Sequence, residues 1–166
     1  PGVYEMDMGT PMKKIIYDIG GGFIKPVKAL QIGGPLGGVI PIKEVEKLNL
    51  DFQEFTKAGF MLGHGGIVSI PDDFNMIKYI HHLFKFSAEE SCGKCFPGRL
   101  GSYRGKEMFD QAVNKTNKIP IKLLNELLIT MQKGSLCALC GAIPLPIQNI
   151  LKYFTDEFKT DINQGA

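Results

Sequence analysis

No stretch of this sequence approaches the roughly 18 to 20 uninterrupted apolar residues that a membrane-spanning helix needs, and no charged start followed by an apolar run reads as a signal peptide. The expectation is a soluble, unexported, cytoplasmic chain with no direct membrane span, at most peripheral to a membrane complex. Strong charge of one sign is also missing. Nineteen basic and 17 acidic residues, spread along the chain, give a formal charge of +2 and no cationic face for a phosphate backbone, which argues against a nucleic-acid partner. No Ser/His/Asp set, carboxylate dyad or Gly-Lys-Ser/Thr phosphate loop is present, so hydrolase and kinase chemistry have no support. Gly33 to Gly38 comes nearest to a phosphate loop, but no helix start follows it, and a tight turn is the favoured reading.

What is present is globular composition: 44% hydrophobic and 22% charged over 166 residues, enough for one ordinary domain or two small ones. Val3 to Met8 alternates as a strand, Thr10 reads as an N-cap, and Pro11 opens a short helix through Ile19 that Gly20 to Gly22 would end. Strands are expected at Val27–Ile32, Val39–Ile40 and Gly66–Ile70, which makes residues 1–71 a compact α+β pattern. After Pro71 the apolar period becomes helical. Asp72 or Asp73 would cap a helix through Met76, Ile80 and Phe84, and a weaker helix covers Gly105 to Val113. Pro120 opens a helix with Ile121, Leu124, Leu127, Leu128 and Met131 on its buried side, and Gly134 stands where a C-cap glycine belongs. Pro146 opens the last, with Ile147, Ile150, Leu151, Phe154 and Phe158 at helical spacing on the apolar side and Asn149, Lys152, Asp156, Glu157 and Lys159 on the wet face. Residues 72–166 therefore read as a small all-α bundle.

Four cysteines in a chain without an export signal are poor material for disulfides. They form two Cys-x-x-Cys pairs, Cys92/Cys95 and Cys137/Cys140, each at a break between helical segments, so metal or redox chemistry is the expectation. Two residues between thiolates let both reach one metal centre, and nearby N–H groups and Lys94 offset their charge. Spacing does not separate zinc from iron–sulfur, and buried free cysteines acting as small hydrophobes are the plain alternative. His81 and His82 are adjacent on a helix and cannot chelate jointly; His64 is read as an exposed loop side chain.

Several blocks resemble a known family. They are Pro1-Gly2-Val3-Tyr4-Glu5 leading to Gly9-Thr10-Pro11, and Gln31-Ile32-Gly33-Gly34-Pro35-Leu36-Gly37-Gly38-Val39-Ile40-Pro41. Further along come Leu62-Gly63-His64-Gly65-Gly66-Ile67-Val68, Glu89-Glu90-Ser91-Cys92-Gly93-Lys94-Cys95, Leu136-Cys137-Ala138-Leu139 and Tyr153-Phe154-Thr155-Asp156-Glu157-Phe158. In order and separation they resemble the C-terminal part of the flavin-bearing, NADH-binding subunit of complex I type NADH dehydrogenases and of related NAD-linked hydrogenases and formate dehydrogenases.

That resemblance implies an α+β chain: a ubiquitin-like, soluble-ligand-binding β-grasp domain over residues 1–71, then an all-α bundle over 72–166 carrying a [4Fe-4S] cluster. It further implies that electrons reach the cluster from FMN, reduced by NADH in an upstream domain or partner subunit, and pass to an iron–sulfur partner subunit. Two departures stand out. The family supplies Cys-x-x-Cys-x-x-Cys plus one distant cysteine, but the third position here is Gly98; Cys92, Cys95 and Cys137 match the others. Cys140 stands where the family usually has a glycine or another small residue; its substitution for the missing ligand is the favoured expectation, and the competing one is a degenerated cluster, or one completed by water or another residue, with three protein ligands and a labile iron. The glycine-rich flavin loops are absent as well, so this chain alone is not expected to oxidise NADH. Pro1-Gly2 resembles a hairpin turn whose first strand would precede residue 1, supplied by a longer polypeptide or a partner chain. The alternative function is a non-catalytic docking module with a zinc-bound or metal-free cysteine site.

Overall fold

Pairing of one central strand with two neighbours organises the first part of the chain. The computed structural model describes residues 1–163, and the chain divides into two units, Pro1–Phe74 and Asn75–Ala166.

In the first unit β1 (Val27–Ile32) lies between β2 (Gly38–Pro41) and β3 (Ile67–Pro71), antiparallel to both. Leu30 stands opposite Ile40 on one side and Ser69 on the other. The consecutive residues Ala29, Leu30, Gln31 and Ile32 are all buried, so both faces of β1 are covered, since successive side chains point to opposite faces. On β3, Ile67, Val68 and Ser69 are exposed. The glycines after β1 serve a backbone crossing: a Cβ on Gly33 would lie 2.6 Å from the Leu62 carbonyl oxygen, and Gly33 has φ +88°. A tight turn is therefore what Gly33 to Gly38 builds.

Two short helices, α1 (Ile42–Val45) and α2 (Phe52–Lys57), were not expected. Each is too short to show a helical period. A cap starts the second: Asp51 accepts N–H groups from Gln53 at 2.8 Å and Glu54 at 2.9 Å. The strand expected at Val3–Met8 is not formed, because a strand needs a backbone partner and pairing is first seen at Gly9, whose N–H donates to the Leu50 carbonyl (2.9 Å). Val3 is fully exposed, while Tyr4 and Met8 are about half exposed. Thr10 is no N-cap either; its hydroxyl donates to the Asp7 carbonyl (2.7 Å). The helix after Pro11 is present but wound as a π-helix over Lys14–Ile19, with the Gly20 N–H reaching the Ile15 carbonyl at 2.9 Å.

The second unit is built around α3 (Met76–Glu90), α4 (Phe96–Val113) and α5 (Ile121–Gly134). Asn75, and neither Asp72 nor Asp73, caps α3, accepting the Lys78 N–H at 3.0 Å. Helix α4 starts well before the expected Gly105. Its early buried positions are Gly98, Gly101, Ser102 and Gly105, which give no apolar period but allow close approach. Gly105 lies against Phe84, whose ring is 5.7 Å from that of Phe109. His81 Nε2 and Lys106 Nζ meet the two oxygens of Asp110 at 2.6 and 2.7 Å, tying α3 to α4.

Beyond α5 come α6 (Ala138–Ala142) and α7 (Pro144–Tyr153). Helix α7 opens at Pro144, two residues before the expected Pro146, because a proline at either position suits a first helical turn. Asn149, expected on the wet face, is buried. A short 3₁₀ turn (Thr155–Phe158) follows, and Ile162–Asn163 (β5) pairs in parallel with Ile119–Pro120 (β4). Among the described residues no helix is long and apolar enough to cross a membrane.

Candidate metal centre

The two cysteine pairs flank the junction of α3, α4 and α6. The chain leaves α3 at Glu90, makes a turn with Gly93 at φ +71°, and enters α4 with Cys95 as its N-cap residue. The second pair follows α5: Cys137 is the N-cap residue of α6, and Cys140 lies inside that helix, 2% exposed. Cys92 and Cys137 are exposed and Cys95 is half-buried; no disulfide joins them.

Cys95 and Cys140 are brought to one point, and that point belongs to Gly98. A Cβ built on Gly98 would stand 3.0 Å from Cys95 Sγ, 3.1 Å from Cys140 Sγ and 3.2 Å from Cys140 Cβ. The sulfur of Cys140 therefore occupies the space that a side chain at position 98 would enter. Position 98 on α4, a glycine, thus faces the Cys140 thiol on α6. Cys92 and Cys137 are exposed and supply none of the nearest atoms at Gly98, Cys92 lying in the turn before α4 and Cys137 at the start of α6.

At Cys95 the surroundings favour a thiolate. The backbone N–H groups of Leu136 and then Gly98 face the Cys95 sulfur and hold its thiol below the ordinary cysteine range, against the opposing effect of burial. The approach from Gly98 falls short of a full capping hydrogen bond. Ser135 adds its hydroxyl to the same side; its Oγ is buried and makes no full hydrogen bond. Cys140 Sγ is 3.7 Å from Ser87 Oγ and 3.9 Å from Ser91 Oγ. Nearby, the guanidinium of Arg99 stacks on the Phe96 ring at 5.0 Å and reaches the Gly93 carbonyl at 3.4 Å.

Sequence reasoning missed the three serines. Their only signal was position: Ser91 precedes Cys92 and Ser135 precedes Leu136-Cys137, while Ser87 is one helical turn before Ser91. Gly98 was noticed as a missing thiol, but its contact with Cys140 needed the fold.

These residues fit an iron–sulfur group in donor type and cradle. Thiolates are its ligands, the N–H groups around Cys95 offset their charge, and the sulfurs of Cys95 and Cys140 meet against Gly98. Among the described residues no three His, Cys, Asp or Glu side chains are grouped closely enough to hold a metal ion. A four-iron cluster asks something else, offering each thiolate its own iron.

Comparison with known proteins decides the family. Residues 78–161, just over half of the chain, match the family described as NADH-ubiquinone oxidoreductase-F iron-sulfur binding region. The chain belongs to that family. Relatives of this iron–sulfur binding region include the NADP-reducing hydrogenase subunit HndC of Solidesulfovibrio fructosivorans, 31% identical over 98% of this chain and 34% of its own length. An F-type subunit of the NADH-quinone oxidoreductase of Rhizobium meliloti (strain 1021) is 32% identical over 99% of this chain and 39% of its own length. The chain thus spans little more than a third of the curated relatives it matches. A crystal structure of an NAD+-reducing [NiFe]-hydrogenase in the H2-reduced state matches with TM-score 0.86 at 20% identity, over 99% of this chain and 28% of that one. At that identity the likeness is one of fold.

Proposed function

We propose that Cys92, Cys95, Cys137 and Cys140 hold one [4Fe-4S] cluster, and that the chain relays electrons through it. The source is a flavin reduced by NADH in an upstream domain or partner subunit, and the acceptor is an iron–sulfur partner subunit of the same oxidoreductase complex. When bound, such a cluster takes up and gives out one electron at a time with no bond made or broken in the protein. Its residues here position the sulfurs, exclude water at the buried Cys140 side and stabilise charge through the N–H groups at Cys95.

The observation that carries this reading is the shared volume of Gly98 and Cys140, which keeps the thiol count at four although the third family position is glycine. The relatives, named as subunits of NADH-quinone oxidoreductase and of NADP-reducing hydrogenase, supply the redox context. Exposed Phe96, Leu100 and Tyr103 recur at helical spacing on α4, and Leu136 is exposed beside Cys137, an apolar surface next to the cysteines that suits a docking subunit. For the first unit, the antiparallel sheet with α1 packed on β1 and β2 supports a β-grasp domain over residues 1–71, with residues 72–166 as the cluster domain. A cytoplasmic location belongs to the same reading.

Metal analysis of anaerobically purified protein tests it. About four irons and four sulfides per chain are expected of such a cluster. One zinc per chain, or no metal after reconstitution with iron and sulfide, overturns the proposal. Cys140→Ser should lose cluster content or stability; a Cys140→Ser protein with a full, equally stable cluster removes Cys140 from the ligand set.

A further inference from the structure

Ser87 is fully buried on α3, yet its hydroxyl is aimed across the unit at α6, where Cys140 Sγ lies 3.7 Å away. Ser91, one turn further along, places its own hydroxyl 3.9 Å from the same sulfur while accepting the Gly93 N–H at 3.3 Å. A buried hydroxyl beside an apolar interior costs stability unless it finds a partner. The partner of Ser87 is a sulfur. In a free thiol either atom can donate, but a metal-bound thiolate has no proton and can only accept, so ligation turns this contact into an O–H···S⁻ bond. The backbone N–H groups of Leu136 and Gly98 face Cys95, whereas the polar groups beside the Cys140 sulfur are the hydroxyls of Ser87 and Ser91.

We infer that Ser87 is the positioning residue for the substituted ligand: its hydroxyl donates to Cys140 Sγ, fixes the direction of that sulfur, and raises the reduction potential of the bound cluster. This rests on the ligand assignment proposed above and deepens it. The chemistry is simple. A donated hydrogen bond withdraws charge from the thiolate, and the reduced state, which carries one more negative charge on the same ligands, gains more from it than the oxidised state. Loss of the hydroxyl therefore lowers the potential. Ser91, whose oxygen accepts the Gly93 N–H and whose O–H is still free to donate, is the farther of the two at 3.9 Å against 3.7 Å, so its contribution is the smaller.

The test compares wild type with Ser87→Ala, Ser87→Thr and Cys140→Ala in the full chain, purified anaerobically. Cluster content is measured first, then midpoint potential by EPR-monitored redox titration, and the Fe–S(Cys) stretching bands by resonance Raman in H2O and D2O. Ser87→Ala should keep its irons, titrate at a lower potential than wild type, and lose the D2O sensitivity of one Fe–S(Cys) band; Ser87→Thr, which keeps a hydroxyl, should stay near wild type. If Ser87→Ala loses its cluster but keeps its helical circular dichroism while Ser87→Thr retains the cluster, the hydroxyl holds the ligand in place, which also upholds the inference. An unchanged potential and Raman pattern in Ser87→Ala overturns it, as does cluster loss in both variants, which would assign the role to side-chain volume. Cys140→Ala separates the layers: if it binds a full cluster the ligand assignment itself fails, whereas loss in Cys140→Ala with no effect of Ser87→Ala removes Ser87 alone.

Discussion

Gly98 and Cys140 share one volume: the Cβ that residue 98 lacks would sit 3.1 Å from Cys140 Sγ and 3.2 Å from Cys140 Cβ, inside ordinary contact distance. Gly98→Cys in the present background should therefore overpack the junction and lower stability by about 1 to 3 kcal/mol. Adding Cys140→Gly should recover most of that loss and keep the cluster, with the ligand returned to α4. Urea unfolding of the metal-free proteins measures the first effect, and iron content the second. A single Gly98→Cys variant as stable as wild type would show that the two positions do not compete.

Glycines along α4 should differ in their tolerance of a methyl group. At Gly105 a Cβ would fall 2.1 Å from Phe84 Cε1, and Phe84 is fully buried against Phe109, so the ring has nowhere to move. Gly105→Ala gains about 1 kcal/mol of helix propensity yet should still be destabilising overall, by about 1 to 3 kcal/mol, because α3 and α4 must separate. Gly101→Ala meets Met131 at 2.7 Å, an unbranched side chain that can change rotamer, and should cost less. Thermal unfolding of the two variants side by side gives the order; Gly105→Ala at or above wild-type stability contradicts the packing.

These glycines also explain how much was legible beforehand. Strands β1, β2 and β3 and helices α3, α5 and α7 have apolar residues at regular spacing, and the sequence marked all six within a few residues. Helix α4 was seen only from Gly105 onward because its first buried positions are glycine and serine, which leave a packed face without a hydrophobic signal. Val3 to Met8 failed in the opposite way: it alternates like a strand, but pairing is a tertiary property that alternation cannot supply. At the cysteines, spacing alone named four thiols and left zinc and iron–sulfur open. Which thiol faces Gly98, and which hydroxyls face the sulfurs, depends on how α3, α4 and α6 meet, and no local pattern encodes that.

Caps that the sequence did not announce should carry ordinary weight. Asp51 satisfies two N–H groups at the start of α2, so Asp51→Ala should destabilise the protein by about 1 kcal/mol, and Asp51→Asn by less. Chemical denaturation resolves a difference of that size. Equal midpoints for wild type and Asp51→Ala would mean that α2 contributes little to the cooperative unit.

Acid should loosen the α3–α4 bridge late. Asp110 is held below the usual carboxylate range, first by the hydrogen bond from Lys106, then with help from His81, while burial pushes the other way; Glu89 and Glu107 also face Lys106 and raise its pKa. A carboxyl with a depressed folded-state pKa contributes stability that is fully present above its unfolded value, about 3.9, and is lost as pH falls through the lower folded value. The stability gap between wild type and Asp110→Asn should therefore hold at about pH 5 and close as pH drops below about 4. Because 38% of the Asp110 side chain is exposed, solvent screening keeps that gap to about 1 kcal/mol or less. Thermal unfolding of both proteins from pH 6 down to about pH 2 tests the sign. A gap that widened as pH fell below about 4 would require the bridge to strengthen as its carboxylate is protonated, which a charge-assisted contact cannot do.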